Sequence, residues 1–157
     1  IHGLLERLPE VAPDKRDAAA RIWLTRQGVE EAEAEAFARE ALTVINDPRF
    51  AAVFSSASRA EAPIIGEVRG RAVRGAVDRL AVEKDRVIVL DFKTDRPAPT
   101  DAAAAPDSYV MQLALYREVL RKIFPGKVVS CALLWTEKPH LMELPDSRLD
   151  DVFATFA

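Results

Sequence analysis

The sequence predicts one mixed α/β domain, and three observations carry that expectation. Residues 1–54 are dominated by helical patterns. Residues 61–93 hold three β-prone segments separated by short polar breaks. A helical pattern over 109–124 then precedes two more strand-like segments. That order places a central sheet between helices, with an N-terminal helical part at 1–54 and a sheet-bearing core at 61–157. The crossover from the third strand through the 109–124 helix permits a parallel pair with the fourth. The N-terminal helices are expected on the opposite face of the sheet.

In chain order, 1–8 reads as a helix with Leu4, Leu5 and Leu8 on one side, interrupted at Pro9. Residues 13–27 form a second helix with Ala18, Ile22 and Leu24 on a mixed apolar face, stopped by Gly28. Residues 30–46 form a third, with Phe37, Ala41, Leu42 and Ile45 as its buried stripe. The acids Glu30, Glu31, Glu33 and Glu35 read as a solvated face near its N-terminus. Asp47-Pro48 ends that helix, and Phe50, Val53 and Phe54 are packing anchors.

Strands are expected at 61–68, 72–82 and 87–93, with Pro63 marking an edge or irregular entry and 69–71 a turn. Gly75 allows close backbone approach or a bulge, or simply adjusts the twist. Residues 96–106, with three prolines and four consecutive alanines, form a loop. Asp107-Ser108 is placed to cap the next helix, which buries Leu113, Leu120 and Ile123. VVSCALLW at 128–135 is a central strand, 140–144 a shorter one, and 147–156 a terminal helix.

The chemistry concentrates in GAVDRLAVEKDRVIVLDFKTD, residues 75–95. Two apolar runs flank a polar break at 83–86, the pattern of a hairpin. Folding it there brings Asp78 near Asp91. Period-two alternation puts Asp91 and Lys93 on one face. Two carboxylates set among apolar strand residues require neutralisation. Lys93 and Arg79 can pair with them as a structural ion-pair cluster, or a divalent cation can sit between them, with oxygen ligands suiting Mg²⁺ or Mn²⁺. Both readings stand on the spacing alone.

The ordered set Gly75-x-x-Asp78-Arg79-Leu80, apolar strand, Asp91-Phe92-Lys93-Thr94, then Gln112-x-x-x-Tyr116 resembles the RecB/AddA nuclease subfamily of PD-(D/E)XK nucleases. His2 resembles that subfamily's upstream histidine motif, and Glu61 the glutamate that opens a similar strand. The resemblance implies a restriction-endonuclease-like core, in which His2, Asp78, Asp91 and the Phe92 carbonyl would hold Mg²⁺ or Mn²⁺. It implies that Lys93 assists phosphodiester hydrolysis, with Gln112 and Tyr116 beside the cleavage site. Glu61 reads as structural, since nothing in the sequence places it with the aspartates. His140, outside any motif, ranks below His2 as a ligand. The wider expectation is a cytoplasmic DNA-repair nuclease domain of an AddA-like helicase–nuclease, acting on DNA ends and single strands beside an AddB-like partner protein. The alternatives are a silent DNA-end-binding module and a stand-alone nuclease.

Composition bounds the rest. At 157 residues and 49% hydrophobic, the chain can bury a core. It contains no apolar run long enough to span a membrane and no signal peptide. Its single cysteine, Cys131, excludes an internal disulfide and a four-cysteine iron–sulfur site, and reads as inert packing. A net charge of −3 excludes a generally basic coat, yet residues 62–96 hold eight Lys/Arg against six Asp/Glu. No Gly-x-x-x-x-Gly-Lys-Ser/Thr occurs, so no ATP site is expected here. The start at Ile1 suggests a fragment of a larger protein.

Overall fold

Period-two burial in the β-prone segments builds a five-stranded sheet in the order β1-β2-β3-β4-β5. The computed structural model describes residues 1–55, 57–137 and 140–157. β1 (Ser58–Val68), β2 (Arg71–Val82) and β3 (Arg86–Lys93) form an antiparallel meander. β4 (Val128–Trp135) is parallel to β3, and β5 (His140–Leu144) antiparallel to β4. Five helices accompany the sheet among the described residues: α1 (His2–Arg7), α2 (Arg16–Arg26), α3 (Glu31–Ile45), α4 (Asp107–Ile123) and α5 (Asp146–Phe153). The expected mixed sheet flanked by helices is the observed architecture, with β1, carrying Pro63, on the edge.

Alternation along β3 and β4 divides the interior into two cores. Val87, Val89, Cys131, Leu133 and Trp135 face α4 and α5. Leu90, Phe92, Ala132 and Leu134 face the N-terminal helices, joined by Leu4, Leu5, Leu8 and Phe50. Each fully buried aliphatic or aromatic side chain contributes roughly 1.5–3 kcal/mol of transfer free energy. Both layers are therefore fixed to the sheet, and each can carry functional groups to it.

Several local expectations are corrected. The stripe of α3 is Ala34, Ala38, Ala41, Val44 and Ile45, while Phe37 and Leu42 are only partly buried. Alanines at helical spacing let α3 pack closely against its neighbours. In α2 the inward residues are Ala20 and Leu24, four apart, and Ile22 points away with 54% exposure. Ile123, at the end of α4, is likewise 52% exposed, and Arg117 occupies the interior instead. Arg117 does so because Asp146 and Asp150 of α5 accept its guanidinium hydrogen bonds. The cap of α4 is Pro106, and Asp107 lies in the first turn and accepts a hydrogen bond from Arg148 at 2.6 Å.

Candidate metal centre

The centre forms where β2 and β3 separate. Their last paired residues are Arg79 and Leu90, and one further step in the same register sets Asp78 opposite Asp91. β3 remains paired with β4 as far as Lys93 and Trp135. The freed edge of β3 turns its Phe92 N–H to Asp78 Oδ2 at 2.6 Å. The expected meeting of the two acids is thus a consequence of hairpin register. Both are buried, with 7% and 8% exposure for Asp78 and Asp91.

Lys93 shares a strand face with Asp91, and its ammonium lies 2.7 Å from Asp91 Oδ2. The same ammonium sits 3.7 Å from the centroid of the Tyr109 ring, and the Tyr109 hydroxyl donates to Asp95 Oδ2 at 2.6 Å. On the opposite side, His2 Nε2 lies 2.7 Å from Asp78 Oδ1 and 3.5 Å from Glu61 Oε1. α1 holds His2 there through the buried Leu4 and Leu5, and the imidazole meets the Phe92 ring edge-on at 5.5 Å.

Glu61 corrects the expectation that it stands apart. It falls between the Ala60–Arg79 and Ala62–Val77 pairs, across from Asp78. Its φ of 46° breaks the ladder at that one position. Such a left-handed backbone at a non-glycine residue costs on the order of 1–3 kcal/mol and concentrates at functional sites. His2, Glu61 and Asp78 offer ligand atoms that all lie within 4.8 Å of one another. Counting pairs back from the Arg69-Gly70 turn would have found Glu61, because the ladder that joins Val68 to Arg71 reaches 78 at residue 61.

The electrostatics follow from burying two acids together. Burial, and then the neighbouring Asp78, push the Asp91 carboxyl from 3.8 up to about 7, with Lys93 offsetting part of the rise. Burial also opposes ionisation of Asp78. Hydrogen bonds from His2, Asp91 and the Phe92 N–H outweigh it and hold Asp78 below its ordinary value. The His2 imidazole is raised, first by its hydrogen bond to Asp78. Asp91 therefore keeps a proton to higher pH than an ordinary carboxyl does, while Asp78 loses its own at lower pH. A set of carboxylate oxygens and one imidazole, partly charged and open to solvent on the His2–Glu61 side, fits a hard divalent cation that displaces the Asp91 proton.

The remaining residues divide. Arg79 turns away from both acids; its Nε donates to the Val53 carbonyl at 3.1 Å, beneath Phe54. Gln112 Nε2 donates to the Tyr116 hydroxyl at 3.2 Å, but neither residue bonds to the acids among the described residues. Tyr116 instead lies against Gly75, three residues before Asp78, where a Cβ would come within 1.9 Å of its hydroxyl oxygen. Of the roles considered for Gly75, close approach is the one it fills. His140 of β5 pairs with Trp135 of β4, and Trp135 pairs with Lys93, so two strand spacings, about 10 Å, separate His140 from the centre. Cys131 is buried and its thiol is pushed up to about 12 by burial, which keeps it unreactive. Tyr109 carried no sequence signal, because its place depends on how the 94–106 loop returns the chain.

The chain is 38% identical over 56 residues to an ATP-dependent helicase/nuclease component from Desulforudis audaxviator (strain MP104C); that stretch is 36% of this chain and 5% of the relative. The solved structure of SSO0001 aligns over 96% of this chain and 71% of its own, at 13% identity and a TM-score of 0.42. The PD-(D/E)XK nuclease superfamily matches residues 1–155, and over that span, nearly the whole of its length, this chain belongs to that superfamily.

Proposed function

We propose that the chain is the nuclease domain of an AddA-like helicase–nuclease, hydrolysing DNA phosphodiester bonds with Mg²⁺ or Mn²⁺ during break repair and recombination. The observation that carries the reading is the convergence of the buried Asp78 and Asp91 one step beyond the last β2–β3 pair, with the Lys93 ammonium 2.7 Å from Asp91 Oδ2. His2, Asp78, Asp91 and the Phe92 carbonyl would hold the ion, and Glu61 joins them by position. When bound, a divalent ion there would lower the pKa of water and neutralise charge building on the scissile phosphate.

The chain's own residues supply the rest. Asp91, whose carboxyl is raised by burial, would have to be ionised to serve as a ligand. Lys93, held by Asp91 and the Tyr109 ring, presents a fixed positive charge to the transition state. Gln112 and Tyr116 would steady the strand from α4. ATP hydrolysis and unwinding would belong to further parts of a larger cytoplasmic protein, working with an AddB-like partner protein.

A second reading has its own support. The Asp91–Lys93 and His2–Asp78 pairs already neutralise the acids, as a catalytically silent DNA-end-binding module would need. Calorimetric Mn²⁺ titration with a cleavage assay separates the two. The nuclease reading expects one ion bound by the wild type, and both binding and cleavage lost in Asp78→Ala. Undetectable Mn²⁺ binding by the wild type would favour the silent module.

A further inference from the structure

β3 pairs with β2 only from Arg79 to Val82. The stretch of β2 from Arg71 to Asp78 therefore has β1 on one edge and, among the described residues, no strand on the other. Against this stretch lies a groove of about 480 Å³, lined by residues of α4 and by Phe156. Arg71 and Arg74 line it, with no carboxylate among its described lining, in a chain of net charge −3. Both arginines are exposed, and neither makes an ion pair among the described residues. The Arg71 guanidinium lies 5.8 Å from the Phe156 ring centroid, and Phe156 stacks on Phe153 at 6.1 Å.

The groove adjoins the centre at two points. Tyr116 lines it while touching Gly75 of β2, three residues before Asp78. On α4, Ser108 faces the groove and the next residue, Tyr109, sits on Lys93. Arg74 precedes Asp78 by four strand residues, about 13 Å, a span that a few nucleotides bridge. A basic groove with an aromatic face is the arrangement by which proteins follow a single strand: cations track phosphates and rings stack bases. Its volume lies in the range of small-ligand sites, enough to seat part of one strand.

We propose that this groove is the path of one nucleic-acid strand into the acidic centre, with Arg71 and Arg74 on its phosphates and a base stacked at Phe156. The nuclease reading supplies the identity of the occupant, and the inference rests on it to that extent.

The test is fluorescence anisotropy of a labelled DNA strand of roughly 15 nucleotides, near the upper range of single-strand sites, in EDTA so that binding is read without cleavage. The Arg71→Ala/Arg74→Ala chain is expected to bind on the order of tenfold more weakly at low salt. Its salt slope should fall by about 1.4, which is 0.7 for each lost phosphate contact. Phe156→Ala should weaken binding severalfold at unchanged slope, and Phe156→Tyr should restore it. Unchanged melting temperature and Mn²⁺ binding confirm that the variants are folded. Wild-type affinity in the arginine variant, no strand binding by the wild type, or an equal loss on a blunt duplex of the same length would each overturn the proposal. Adding Mn²⁺ separates the two layers of the account. Arginine-dependent binding without cleavage would sink the nuclease reading and leave the groove standing. Cleavage with arginine-independent binding would do the reverse.

Discussion

The Tyr109 ring sits against the Lys93 ammonium that pairs with Asp91, with its own hydroxyl tied to Asp95. It is a positioning residue, and its effect should pass through the lysine. Tyr109→Leu is expected to lower single-turnover cleavage about tenfold while leaving Mn²⁺ affinity unchanged, and Tyr109→Phe to restore most of the rate because the ring face is kept. Lys93→Met should bind Mg²⁺ at least as well as the wild type, since a repelling charge is gone, yet cleave on the order of a hundredfold more slowly. Calorimetry and single-turnover rates on the same preparations check both. A Lys93→Met chain that loses metal binding and melts far below the wild type would point to a structural ion pair.

The raised Asp91 carboxyl makes a pH prediction. A carboxyl raised from 3.8 to about 7 binds its proton more tightly in the folded chain than in the unfolded one. Its contribution to stability is present below about pH 4 and is lost as pH climbs to about 7. The raised His2 acts in the same direction, losing its contribution as pH passes through its elevated value. The metal-free melting temperature should fall from pH 5 to pH 8, and Asp91→Asn should flatten that fall. Mn²⁺ affinity of the wild type should rise over the same range as the proton becomes easier to displace. Parallel melting curves for wild type and Asp91→Asn across that range would contradict a raised Asp91 carboxyl.

At the scale of elements, the β1–β2–β3 meander is what the sequence made most legible. A polar break of four residues fixes the β2–β3 hairpin, and the period of two then determines which side chains meet. That logic found Asp78, Asp91 and Lys93 and could have found Glu61. It could not find Tyr109, Arg117 or the exposure of Ile22, which depend on how helices return to the sheet. Helix stripes were misassigned where alanine competes with larger residues, because close packing rewards small side chains that hydropathy ranks low. Gly75 offers an element-level test. Gly75→Ala drives a methyl into the Tyr116 hydroxyl and should cost on the order of 1–3 kcal/mol in urea denaturation. In a Tyr116→Leu background the same change should cost clearly less, and simple additivity of the two would show that β2 and α4 do not meet through this contact.

For the whole molecule, the centre draws on both layers. His2 comes from the helical layer packed on one face of the sheet, the acids and Lys93 from the sheet, and Tyr109 from the helical layer on the other face. Mn²⁺ bound among these groups should therefore stabilise the entire chain, by about 2.7 kcal/mol at a hundred times Kd. In a thermal melt, His2→Ala should need more Mn²⁺ for the same shift, and its metal-free stability should change little because the imidazole is half exposed. Equal Mn²⁺ responses in the two proteins would remove His2 from the ligand set.

The central claim is that the two converging acids hold an ion that cleaves a phosphodiester. Single-turnover cleavage of a labelled DNA strand by wild type and Asp91→Ala, with Mn²⁺ in excess, tests it most directly. The account predicts metal-dependent cleavage by the wild type and essentially none by a folded Asp91→Ala chain. Cleavage by Asp91→Ala at the wild-type rate would contradict it.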